Sequence, residues 1–253
     1  MSPSVAQRLA ALERVGVNYD PTAVDLADPP PGWTVDDRRQ PLESEPPGDP
    51  VAGGPWELAA ALIRGYEFAD PSLVRAHYDR DAPLQGRTML LELRALGLVS
   101  IHVGVRVSCV WDDVRVLDGR RARVFGWAYR TLQGHVEQGQ MGWQVSKWHD
   151  TGEVEFRAHA VSRTAPIANP LVWLGFRLLK RHERRLYLDS TDRRMRELTA
   201  RALREESPGP AVRDASSALT ARRGARSDDV HESLAGRVGD RPPPSDGDTT
   251  GNA

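Results

Sequence analysis

The sequence predicts an α+β fold, a curved antiparallel sheet gripping one long C-terminal helix. Three observations carry that prediction. Residues 121–163 read as three consecutive antiparallel strands: Phe125, Trp127 and Tyr129, then Met141, Trp143 and Val145, then Val154, Phe156, Ala158 and Ala160 recur at period two, the period at which side chains of an extended chain share a face. Ahead of them, Val99, Ile101, Val103, Val105, Val107, Cys109 and Trp111 form a longer alternation. Asn169-Pro170 then opens a basic helical stretch to about Arg204 with no further proline and one glycine, Gly175; proline suits the first helical position, where its missing N–H has no partner to lose.

From the N-terminus, Val5, Leu9 and Leu12 lie at helical spacing between Ser4 and Gly16, which predicts a short amphipathic helix. Residues 32–42 read as an edge strand, and the prolines and glycines from Pro46 to Gly54 as a loop. Pro55 suits the first turn of a helix through Trp56, Leu58, Ala59, Leu62 and Ile63, ended by Gly65. Asp70-Pro71 reads as the cap and first turn of another short helix, reaching about Tyr78. Leu91 and Leu93, alternating with Glu92 and Arg94, begin the strands. Asp118-Gly119 is a two-residue hairpin turn, because both residues tolerate positive φ, and Asp150-Thr151-Gly152 joins the last two strands. In the long helix, Leu171, Leu174, Leu178, Leu186, Met195 and Leu198 supply a stripe toward the sheet. Past Glu205 there is no aromatic residue, and a composition dominated by Pro, Gly, Ser, Asp and Arg cannot offset its ordering entropy. Disorder is expected from about Ser207. The chain thus divides into an N-terminal helix or extension (1–16), a single α+β domain (17–204) and a disordered tail (205–253).

Composition narrows the function. A net charge of -1 over 253 residues argues against a nucleic-acid binder, which needs excess cations to neutralise phosphates. Of the 34 basic residues only Lys147 and Lys180 are lysine, which reads mainly as genomic base composition. One cysteine, Cys109, excludes an intramolecular disulfide and a multi-cysteine zinc site, and its apolar strand setting predicts a buried core thiol. Trp111, Trp127, Trp143 and Trp148 fall in strands and read as core. No signal peptide is visible, and His102, Arg106 and Arg177 interrupt the apolar runs too early for a spanning helix. A cytoplasmic protein with no transmembrane segment is the expectation. Phosphate-loop and nucleophile-elbow signatures are missing, so no cofactor is expected.

The segment Tyr129-Arg130-Thr131-Leu132-Gln133-Gly134-His135-Val136-Glu137-Gln138-Gly139, followed by Ala160-Val161-Ser162-Arg163 and the basic helix, resembles the uncharacterised family called domain of unknown function 1990. Asn18-Tyr19-Asp20-Pro21 and Pro31-Gly32-Trp33 resemble its opening. The resemblance runs from Val17 to Leu203. Gln140 and Met141 stand where the family's members usually carry two glutamates, and Val136 where they usually carry proline. In outline the family resembles helix-grip, lipid-binding and cyclase-like domains. That implies a helix-grip-like fold and no assigned activity.

Closing both hairpins sets Thr131 opposite about Met141 and Arg163 opposite about Gly139. His135, Glu137, Ser162 and Arg163 then gather, with Tyr129, at one end of the sheet beside the start of the long helix. A histidine beside a carboxylate can act as general base, and an arginine can hold an anion; alternatively Arg163 pairs with Glu137 and locks the turn. His135-Val136-Glu137 lacks zinc-site spacing, so no metal is expected. Three functions are compatible with these residues. One is a module binding a small apolar or amphipathic molecule between sheet and helix. Another is an enzyme of cyclase, hydrolase or isomerase type using His135, Glu137 and Arg163. The third is a peripheral membrane or partner-binding protein using Leu171, Val172, Trp173 and Phe176 followed by Arg177, Lys180 and Arg181.

Overall fold

The computed structural model describes residues 4–95, 99–166 and 170–206, the side chains of 95, 99, 170–181, 205 and 206 excepted. The tail from Ser207 therefore lies outside the described residues. So do the side chains of Leu171, Val172, Trp173, Phe176, Arg177, Lys180 and Arg181, on which the membrane reading rests, and those of Leu174 and Leu178.

Strands β1 (Thr34–Pro41), β2 (Val74–His77), β3 (Thr88–Ala95), β4 (Val99–Leu117), β5 (Arg120–Thr131), β6 (Glu137–Trp148) and β7 (Val154–Thr164) form one sheet. Its order is β1-β7-β6-β5-β4-β3-β2, antiparallel throughout. Helices α1 (Val5–Leu12), α2 (Pro55–Arg64) and α3 (Pro170–Glu206) complete the fold. This is the curved sheet with a C-terminal helix that the sequence predicts, a helix-grip arrangement.

One face of the sheet carries the core. Period two places Trp127 opposite Trp143 and Trp143 opposite Ala158, and these join Phe68, Phe125 and Phe156 in one cluster. Helix α2 seals it: Leu58, Ala59, Leu62 and Ile63 are buried, and Trp127 Nε1 donates to Ile63 O at 2.8 Å. Helix α3 meets α2, β1 and β7. Arg38 of β1 fixes it through Asp189 at 2.7 Å and Asp192 at 2.9 Å. Helix α1 docks on the opposite face, where Gly104 leaves room for Leu12 and Arg106 donates to Leu12 O at 2.8 Å.

Four expectations need correction. The predicted helix from Asp70 is a single turn: Asp70 Oδ1 accepts from Ser72 N at 2.9 Å, after which β2 pairs with β3 through Val74↔Leu93. A helix of that length is marginal alone, and the neighbouring strand offers its backbone better partners. The β4 alternation also stops short of Trp111. A bulge between Val107 and Cys109 adds one residue and turns the later side chains over. Val110 thereby packs on the main core, and Trp111 packs instead with Ala122, Val124 and Trp148. Cys109 is consequently half-buried instead of a core thiol. In α3, Leu186 is 41% exposed, whereas Leu188 and Met195 are buried, so the inward stripe passes through Leu188, two positions on from Leu186.

Among the described residues, no helix is long and apolar enough to cross a membrane.

Candidate functional site

The inward rows that form the core continue past it. Beyond Trp127, Trp143 and Ala158 come Tyr129, Met141 and Ala160, in register across β5, β6 and β7. Here they face a cavity of about 680 Å³ between the sheet and α3. Leu73, Val74, Leu91, Leu93, Ile101 and Met141 give it apolar walls, with Leu188 contributed by α3. Tyr66, Tyr129 and Tyr187 add three ring faces and their hydroxyls.

The cavity's polar lining includes Asp36, Thr131, His135, Glu137, Ser162 and Arg184, with Arg94, Gln140 and Glu183 besides. Arg184 organises part of it. Its Nη1 donates to Ser162 Oγ at 2.9 Å and to Glu137 Oε1 at 3.2 Å. Its Nε and Nη2 meet Asp36 Oδ2 on the edge strand. The site thus draws on β1, β6, β7 and α3. Gly139 lets the strands close: at φ 156 any Cβ there would stand 2.2 Å from Val161 O.

Of the residues singled out from sequence, Tyr129, His135, Glu137 and Ser162 come together, and Arg163 does not join them. Arg163 pairs with Gln138, not Gly139, and one residue of slip turns a strand side chain to the other face. Its Nε donates to Gln138 Oε1 at 2.8 Å, and its guanidinium lies 5.0 Å from the centre of the Trp33 ring. The arginine that meets Glu137 is Arg184. Similarly, Tyr129, not Thr131, stands opposite Met141.

The opening motif holds the loop in place. Asn18 Nδ2 donates to Glu137 O at 2.8 Å, and Asn18 Oδ1 accepts from Thr131 Oγ1 at 2.7 Å. Thr131 Oγ1 in turn accepts from Gly139 N at 2.9 Å. His135 is buried in this loop, its Nδ1 accepting the Glu137 N–H at 2.9 Å. That bond fixes the neutral tautomer with the proton on Nε2. Burial pushes the His135 pKa down to about 4, against the opposing pull of Glu137.

This depression has a pH signature. The folded pKa lies below the usual value of 6.5, so between those limits the unfolded chain takes up the proton more readily. Stability associated with His135 is therefore complete above pH 6.5 and falls as pH drops toward 4. Between pH 8 and pH 5 it should cost about 2 kcal/mol. Urea unfolding of His135→Gln across this range should lack that component; a slope matching the parent protein would show that His135 does not titrate as described.

No curated protein sequence matches the chain. Among solved structures it is similar to Ara h 8.0201, at 8% identity and a TM-score of 0.38, covering 67% of this chain and 99% of that one. It is also similar to a Thalictrum norcoclaurine synthase point mutant in complex with a transition-state analogue, at 8% identity and a TM-score of 0.40, covering 67% of this chain and 95% of that one. A third is the di-domain ARO/CYC StfQ from the steffimycin biosynthetic pathway, at 12% identity and a TM-score of 0.40, covering 66% of this chain and 52% of that one. A family model matches residues 18–189, which include the Asn18 clamp, the His135 loop and Arg184; the chain belongs to the family described as Domain of unknown function (DUF1990).

Proposed function

We propose that this protein binds a small apolar or amphipathic molecule in the cavity between the sheet and α3. The observation that carries the reading is a cavity of about 680 Å³ with largely apolar walls and, among its polar lining groups, a cluster bonded around Arg184. That is the form of a small-molecule site: apolar surface supplies the driving force, and a few placed polar groups fix orientation. Arg184, Glu137 and Ser162 are already bonded to one another, so this cluster is ordered before anything enters.

An enzymatic use of the same residues draws less support. A general base works best with a pKa near the operating pH, and His135 lies near 4. Arg163, the third member of that reading, faces away.

Protein purified from its own host should carry a bound molecule, visible as extra mass under native conditions. Ala160 is buried and lines the cavity, so Ala160→Trp should fill it with little strain, since the void accepts the added volume. Occupancy should fall about tenfold while the protein stays folded. Unchanged occupancy in the folded variant would place the ligand elsewhere. No co-purified molecule, together with no uptake of an apolar fluorescent dye, would remove the reading.

A further inference from the structure

Strand β4 outruns its neighbour. It is 19 residues long where β3 is 8, and β3 covers it only as far as Arg106, opposite Thr88. Gly86 and Arg87 extend that cover to Val107, and Gln85 Nε2 reaches Ser108 O. From Cys109 to Leu117 the strand pairs with β5 alone among the described residues. The Asp118-Gly119 turn fixes which backbone groups are left over. In a two-residue hairpin the flanking residues, here Leu117 and Arg120, exchange both backbone bonds. Leu117, Arg115, Asp113 and Trp111 therefore direct theirs to β5. Val110, Asp112, Val114 and Val116 turn theirs outward, to an open edge.

An open edge is a template for another strand, and charges along it usually guard against that. Here the charges are already matched within the chain: Arg115 Nε lies 2.7 Å from Asp113 Oδ1, while Arg123 and Arg64 pair with Asp112. Among them Val114 and Val116 stand 47% and 69% exposed.

A second copy of the chain fits this edge in one register. Two copies related by a two-fold axis through the edge pair antiparallel, like face to like face. Centred on Val114, the pairing sets Asp112 opposite Val116 of the second copy and exchanges roughly six backbone bonds. On the outer face Asp113 meets Arg115 of the second copy, and symmetry makes the same pair again. Trp111 meets Leu117 of the second copy there. Both belong with Ala122, Val124 and Trp148 in the small outer cluster, so the two clusters become one. Neighbouring registers fail. Centring on Asp112 or Asp113 sets that carboxylate against its own copy, and centring on Arg115 does the same with guanidinium; like charges directly opposite are destabilising.

We infer that the protein forms a two-fold dimer through β4, with Val114 at the axis and one continuous sheet running through both copies. None of Cys109–Leu117 lines the cavity, so this association stands or falls separately from ligand binding.

Sedimentation velocity on the full-length protein from about 1 to about 200 µM tests it; the interface is small, and a dissociation constant on the order of ten micromolar is expected. Val114→Pro leaves the bonds to β5 in place, because the Val114 N–H faces outward, and should weaken association at least about tenfold. Asp113→Arg and Arg115→Asp each set like charges across the axis, and each alone should weaken it about tenfold. Mixed in equal amounts, these two should associate within about threefold of the parent protein, since every charge then meets its opposite. Unchanged far-ultraviolet dichroism shows that each variant is folded. A parent protein that stays monomeric throughout overturns the inference. So does association that Val114→Pro leaves intact, or a mixture that associates no better than either charge variant alone.

Discussion

Lys147→Met is expected to lower the unfolding free energy by roughly 3–5 kcal/mol, the usual consequence of stripping one partner from a buried ion pair. Lys147 and Glu45 are 0% and 1% exposed at their side chains, with Nζ 2.8 Å from Glu45 Oε2. Nζ also donates to Asp49 O at 2.6 Å. Glu45 has further duties: its Oε1 accepts from Trp56 N at 2.7 Å and its Oε2 from Val51 N at 2.9 Å. It thereby ties the loop before α2 to the helix's first turn, where a carboxylate is favoured by the helix dipole. Methionine fills the space of the lysine stem but leaves a carboxylate with no counter-charge. Against a typical total of about 5–15 kcal/mol, such a loss should be plain in a urea midpoint. Adding Glu45→Gln should recover part of it, because the amide oxygen still accepts from one backbone N–H. A change under about 1 kcal/mol for Lys147→Met would show that the pair relaxes into solvent once broken.

That pair also shows how far the sequence can be read. Period two carries Met141, Trp143 and Val145 onward to Lys147, so the lysine's inward direction follows from the same alternation that predicts the strand. What alternation lacks is the partner, because Glu45 comes from a loop about a hundred residues earlier whose path only the fold defines. The Asp118-Gly119 turn was legible for a local reason: positive φ at both residues, 50° and 79°, is a requirement those two residue types meet. The bulge at Ser108 was not, because an inserted strand residue leaves the apolar pattern intact while reversing its faces. At the site the chain segment was found correctly and the parity was not. Hairpin arithmetic placed Arg163 one residue out of register, enough to exchange Arg163 for Ser162 on the inner face. Arg184 had a signal of its own. It lies four residues before Leu188 and eleven before Met195, which puts a charge on the buried stripe of a helix, and such a charge requires a partner.

Arg184→Ala should accordingly destabilise the protein by roughly 2–4 kcal/mol, while Arg163→Ala should cost less than about 1. The Arg184, Asp36 and Glu137 side chains are 18%, 22% and 25% exposed, so solvent reaches the cluster and the cost stays below that of the sealed Lys147 pair. Removing the guanidinium leaves two carboxylates facing each other across β1 and β6, with Ser162 Oγ deprived of its donor. Repulsion between the acids adds to the loss of the bonds. Asp36→Asn in the same chain should therefore restore much of the stability, a rescue that a simple packing defect would not show. The exposed Arg163 has the Trp33 ring and Gln138 as partners, contacts worth little at the surface. Urea midpoints for Arg184→Ala, Arg163→Ala and the Asp36→Asn double variant decide the matter. If Arg163→Ala proved the more damaging of the two, Glu137 would depend on the outer face of the sheet. The polar cluster of the cavity would then have to be rebuilt without Arg184 at its centre.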